Sequence, residues 1–137
     1  MSTKSEKTIE KDLFRVIKAS RLAKAVSGGV YRKGWRPEGS DKEDVVVKFL
    51  TGLEGQIQSG VLVMTIYVPD ITQAGSARLG EDTARVEELE DIAIAVIEKC
   101  ESTEYLYELE GSPVSIPVEG ISQHAVNVRI HYQRINC

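Results

Sequence analysis

Residues 61–68, Val-Leu-Val-Met-Thr-Ile-Tyr-Val, constrain this chain more than any other stretch. β-branched and aromatic side chains of this kind fit a pleated strand. In a strand, Leu62, Met64, Ile66 and Val68 fill one face, and Val61, Val63, Thr65 and Tyr67 fill the other. A strand apolar on both faces belongs at the centre of a sheet, covered on both sides. Two helices in a short chain readily cover one side, so the pattern implies that a partner subunit covers the other. The 137 residues suit one domain, 1–137, with residues 1–7 as a flexible lead. A chain of this length buries roughly two-thirds of its unfolded surface and needs no metal or disulfide to fold.

Around this strand the chain alternates helical and extended periodicities. Ile9, Leu13, Val16, Ile17 and Ala23 recur at helical spacing and predict a helix over 8–26, with Thr8 as its N-cap. Ser27-Gly28-Gly29 stops that helix, because glycine turns the chain cheaply. Residues 30–44 read as a short hairpin and a long polar loop, holding Gly34, Pro37, Gly39 and the only tryptophan. Strands follow at 44–50 and 61–68, then a loop over 71–80. A second helix spans 81–101, its stripe formed by Val86, Leu89, Ala93, Val96, Ile97 and Cys100. Three further strands fall at 104–109, 114–118 and 124–134. The expected class is α+β, with two helices packed on a mainly antiparallel sheet in the order α-β-β-β-α-β-β-β.

The net charge of −4 is a near-cancellation. Residues 1–48 hold 12 Lys+Arg against 7 Asp+Glu, a net of +5; residues 49–137 hold 5 against 14, a net of −9. A molecule with one basic and one acidic side is suited to head-to-tail contact with its own copies, and such contacts close into rings when the rotation permits. The charged start, Met1 to Lys7, lacks the apolar core of a signal peptide, and no apolar run reaches the roughly 20 residues of a membrane span. A soluble, cytosolic protein is therefore expected.

The residues supply no catalytic constellation. There is no phosphate-binding loop, no serine elbow and no CxxC pair. Cys100 and Cys137 read as two free thiols. His124 and His131 are seven apart in a strand, so they point to opposite faces and cannot share a metal. The acids at 81–91 alternate with Val86 and Leu89 as a solvated helix face does. Asp70, after the buried strand, is the best-placed lone carboxylate, though an Asp after proline commonly caps a loop. Arg32, Lys33, Trp35 and Arg36 form a basic and aromatic cluster that suits either a phosphate and a base or a subunit contact. No enzyme activity, cofactor, metal or specific nucleic acid is expected.

Four stretches taken together resemble small phage and prophage proteins of the tail-completion, or tail terminator, type. They are Ser27-Gly-Gly-Val-Tyr-Arg-Lys-Gly-Trp-Arg-Pro37, Ser40-Asp-Lys-Glu-Asp-Val-Val-Val47, Gln58-Ser-Gly-Val61 and Thr65-Ile-Tyr-Val-Pro-Asp70. The resemblance covers residues 9–100, and the later strands agree in pattern. It implies an α+β subunit that forms a homo-oligomeric ring, often of six, at the end of the tail tube. The ring stops tube growth and presents a surface to the head connector. The partners implied are the chain itself, the tail-tube protein and the connector, without a membrane; the place is the host cytoplasm during assembly and then the virion tail. The candidate interface residues are Tyr31, Arg32, Trp35, Arg36, Val61, Val63, Tyr67 and Asp70. The alternatives are another head-tail connector or minor capsid subunit, and a small nucleic-acid-binding module.

Overall fold

The computed structural model describes residues 3–53 and 57–135. The first helix starts earlier than its apolar spacing predicts. Ser5, not Thr8, is the N-cap: its backbone is extended and its Oγ accepts the Thr8 amide at 3.1 Å. Lys4, within the expected flexible lead, pairs with Asp12 and Glu104, each at 2.7 Å.

The expected helix over 8–26 is two helices, α1 (Glu6–Lys18) and α2 (Arg21–Ala25). Ser20 makes the break. It is extended, and its Oγ donates to the Ile17 carbonyl at 2.6 Å, so its side chain replaces a helical bond.

Strand β1 (Val30–Arg32) pairs parallel to β2 (Asp44–Leu53), which corrects the expected hairpin. Parallel neighbours need the chain to return to the starting end before the second strand begins. Residues 33–43 make that return, with Gly34 and Gly39 at φ of 88° and 73°. Next comes β3 (Ser59–Pro69), antiparallel to β2. The 71–80 segment is itself a small hairpin of β4 (Ile71–Thr72) and β5 (Leu79–Gly80). Helix α3 (Thr83–Glu98) begins at Asp82, whose carboxylate accepts the Arg85 amide at 3.2 Å.

Strands β6 (Tyr105–Leu109) and β7 (Val114–Pro117) share one edge of β8 (Gln123–Arg134). Between them Glu110–Pro113 loop out, with Gly111 at φ 76°. The main sheet runs β1-β2-β3-β8-β6, with β7 also on β8. The class is mixed α+β with a mostly antiparallel sheet, but the three helices and eight strands among the described residues exceed the expected two and six.

β3 lies in the middle of the sheet, as its two-sided apolarity requires. Its Leu62, Met64, Ile66 and Val68 meet Ile9, Leu13 and Ile17 of α1 and Val86, Leu89 and Ile97 of α3 in one core. Val126, Val128, Ile130 and Tyr132 of β8 complete it. Val61, Val63 and Ala125 are buried yet stand outside that cluster, on the opposite face of the sheet.

Candidate interaction surface

Among the described residues, no helix packs on that opposite face. Alternation along β2, β3, β7 and β8 puts Val46, Lys48 and Leu50 there with Val63, and Val114 and Ile116 with Asn127 and Ala125. Val61 and Val63 are only 5% and 6% exposed. They are sheltered within the chain: Val63 sits in register between Lys48 and Arg129, whose long stems shield apolar neighbours. Thr65 Oγ1 donates to Asn127 Oδ1 at 2.8 Å across the middle of the face. Leu50, Val114 and Ile116 stay in solvent as an apolar fringe around the groove, and Leu53 and Leu106 are exposed farther along the same face. The Glu110–Pro113 bulge brings Ser112 beside Leu50 and Val114, forming a groove of about 330 Å³ with Lys48 and Arg129 on its walls.

One end of the face is closed by the 33–43 loop, and Arg36 fastens it. Its Nε donates to Asp44 Oδ2 at 2.8 Å, its Nη2 to Gln123 Oε1 at 2.9 Å, and its guanidinium lies 3.9 Å from the Tyr67 ring centroid. Asp44 also accepts from Ser40 Oγ at 2.6 Å and from the Gly29 amide at 3.1 Å. Burial alone pushes the Asp44 carboxyl up, but these bonds from Ser40, Arg36 and Gly29 outweigh it and hold the group below its ordinary value.

The candidates named from sequence therefore fall into different roles. Arg36 and Tyr67 face each other inside the fold. Arg32 is also turned inward: its Nε donates to Glu10 Oε1 at 3.0 Å. Asp70 Oδ1 accepts from His124 Nδ1 at 2.7 Å, and the Asp70 amide donates to the Ser122 carbonyl, so Asp70 ties the end of β3 to the start of β8. Trp35 is the outward one, 76% exposed. It lines a surface groove of about 320 Å³ with Tyr31, Phe14, Lys18, Val30 and Arg32.

Sequence reasoning missed Leu50, Val114 and Ile116. The period-2 alternation of their strands marks their face, but which face goes uncovered depends on where the helices pack. It also missed Arg85, which reaches Glu43 at 2.7 Å and the Ala25 carbonyl at 2.6 Å. The bond from Arg85, with one from the Ser27 amide, outweighs the upward push of burial and holds Glu43 below its ordinary value.

Among the described residues, no three His, Cys, Asp or Glu side chains stand together as metal ligands, and no helix is long and apolar enough to cross a membrane. Cys100 is a free, half-buried thiol whose ionisation burial pushes up; Cys137 lies outside the described residues. No family model matches the chain, and no curated protein matches it.

Proposed function

We propose that this chain is a structural subunit of the phage or prophage tail-completion type, acting by self-assembly and binding. In this reading copies form a ring in the host cytoplasm, cap the tail tube and join it to the head connector within the virion tail. The reading requires no cofactor, metal or catalytic step. The observation that supports it best is the helix-free sheet face, whose fringe of Leu50, Val114 and Ile116 remains in solvent in the single chain. Contiguous apolar surface of that kind marks a contact with another protein. The exposed Trp35 adds a second contact point, since tryptophan is enriched where interfaces hold tightest.

Sedimentation of the purified chain over a wide concentration range, alone and with tail-tube protein, tests the proposal. A discrete ring-sized species is expected. A strict monomer throughout, with no ring beside the tube protein, overturns it. Gene neighbourhood separates this role from that of another connector or minor capsid subunit, because tail-tube and tape-measure genes lie beside a terminator.

A further inference from the structure

We infer that two opposite flanks of the helix layer are the mating surfaces between neighbouring copies of this chain: a cationic, aromatic flank on α1 and an acidic, aliphatic flank on α3. The inference rests on the ring-forming reading above and names the surfaces that close the ring.

Lys7, Lys11, Arg15 and Lys18 follow at i, i+4, i+8 and i+11, so they form one row along α1. At 1.5 Å per residue the row is ~16 Å long. Among the described residues none of these four side chains is ion-paired. Two of the three acids within α1 are engaged elsewhere, Glu10 with Arg32 and Asp12 with Lys4 and Tyr105; the third, Glu6, is exposed at the N-terminal end beside Lys7. Beside the row stands the exposed Trp35, and the Lys18 ammonium lies 5.4 Å from the Phe14 ring centroid.

On α3, Glu87, Glu90, Ile94 and Glu98 follow at i, i+3, i+7 and i+11, a row of the same length. None of its three acids is ion-paired among the described residues. Arg85 and Glu88, on another side of α3, share a depression with Arg21 and Lys24 of α2, so the Glu87–Glu98 row is turned away from α2. Burial first, and then the charges of Glu81, Asp91 and Glu87, push the Glu90 carboxyl up.

The two rows face different neighbours. On the one covered face of the sheet, α1 packs over β1 and β2 and α3 over β8 and β6, toward opposite edges. The side of α1 toward β6 is occupied by the Asp12–Tyr105 bond, whereas Phe14 and Lys18 share a surface groove with Val30, Tyr31 and Trp35, so that end of the row lies on the β1 side of α1. Two complementary surfaces on opposite flanks make a head-to-tail contact, whereas one self-complementary surface makes a two-fold pair. Equal length, opposite charge and opposed placement together select a second copy as the occupant. Trp35 supplies the aromatic anchor and Ile94 the apolar strip it meets.

Charge reversal tests this. Lys11→Glu/Arg15→Glu and Glu87→Lys/Glu98→Lys are each expected to weaken self-association about tenfold or more, because like charges then face each other. An equimolar mixture of the two is expected to assemble again, since each reversed flank meets an opposite one. Thermal melts of each variant, matching the parent, show that folding is intact. If the parent assembles and neither reversal changes its mass, or if mixing restores nothing, the inference falls and the ring reading stands. If the parent is monomeric at every concentration and forms no ring beside the tail-tube protein, both fall. If Lys11→Glu/Arg15→Glu abolishes duplex-DNA binding while assembly is unchanged, the row belongs to a nucleic-acid surface and the inference is overturned.

Discussion

Tyr105 and Tyr107 stack at 5.2 Å between ring centroids but differ at their hydroxyls. Tyr105 donates to Asp12 Oδ2 at 2.6 Å, whereas the Tyr107 hydroxyl is buried without a hydrogen-bond partner among the described residues. An unpaired buried hydroxyl carries its desolvation cost with no return. Tyr107→Phe is therefore expected to stabilise the fold by about 1 kcal/mol, read as a higher urea midpoint, while Tyr105→Phe lowers it. Asp44 gives the matching pH prediction. Its carboxyl is held below its ordinary 3.8 in the folded chain, so the folded state binds a proton less readily than the unfolded one. The stability this contributes is fully present above about pH 4 and is lost as pH falls through the lower folded value. Asp44→Asn should melt lower than the parent at neutral pH, and the gap should narrow in melts taken toward pH 2.

Within β2 the pairing with β3 shifts between Phe49 and Thr51, and that irregularity has two consequences. The Phe49 amide lies past the end of β1, and Glu10, 2% exposed, accepts it with Oε2 at 3.2 Å while Oε1 takes Arg32. One carboxylate thus joins α1, β1 and β2. The shift also brings the Thr51 carbonyl close over Gly60. A Cβ at Gly60 would stand 2.3 Å from that oxygen and 2.9 Å from Tyr132 Cε1. Gly60→Ala should therefore force β2 and β3 apart and destabilise the fold by about 1–3 kcal/mol, measured as a fall in the denaturant midpoint with the helical circular-dichroism signal retained at low denaturant.

Across the whole molecule the division of labour is between layers. The helices bury one face of the sheet and carry the opposed charge rows on their flanks, while the other face is closed at one end by Arg36 and left open along Leu50, Val114 and Ile116. In the proposed ring, whose neighbouring copies would engage the flanks, the open face would be available to a protein stacked along the ring axis. Leu50→Lys/Val114→Lys is expected to change folding stability by no more than about 0.5 kcal/mol, since both side chains are already exposed. It should nevertheless weaken co-sedimentation with tail-tube protein. Loss of folding would instead mean that these side chains belong to the core.

The central position of 59–69, the faces of the two long helices and the α+β class follow from the sequence alone, because periods of 2 and 3.6 are local and record which side of an element is buried. Trp35 was legible only as part of a basic and aromatic cluster in a long loop; its 76% exposure was decided by the tertiary structure. The helix break at Ser20, the parallel placement of β1 and the roles of the arginines were decided only by the tertiary structure. Arg36 meets Gln123, 87 residues away, and Arg85 meets Glu43, 42 away. A basic residue in a loop has the same local pattern whether it faces solvent or a buried carboxylate. Which it faces depends on the chain crossing that brings the two together.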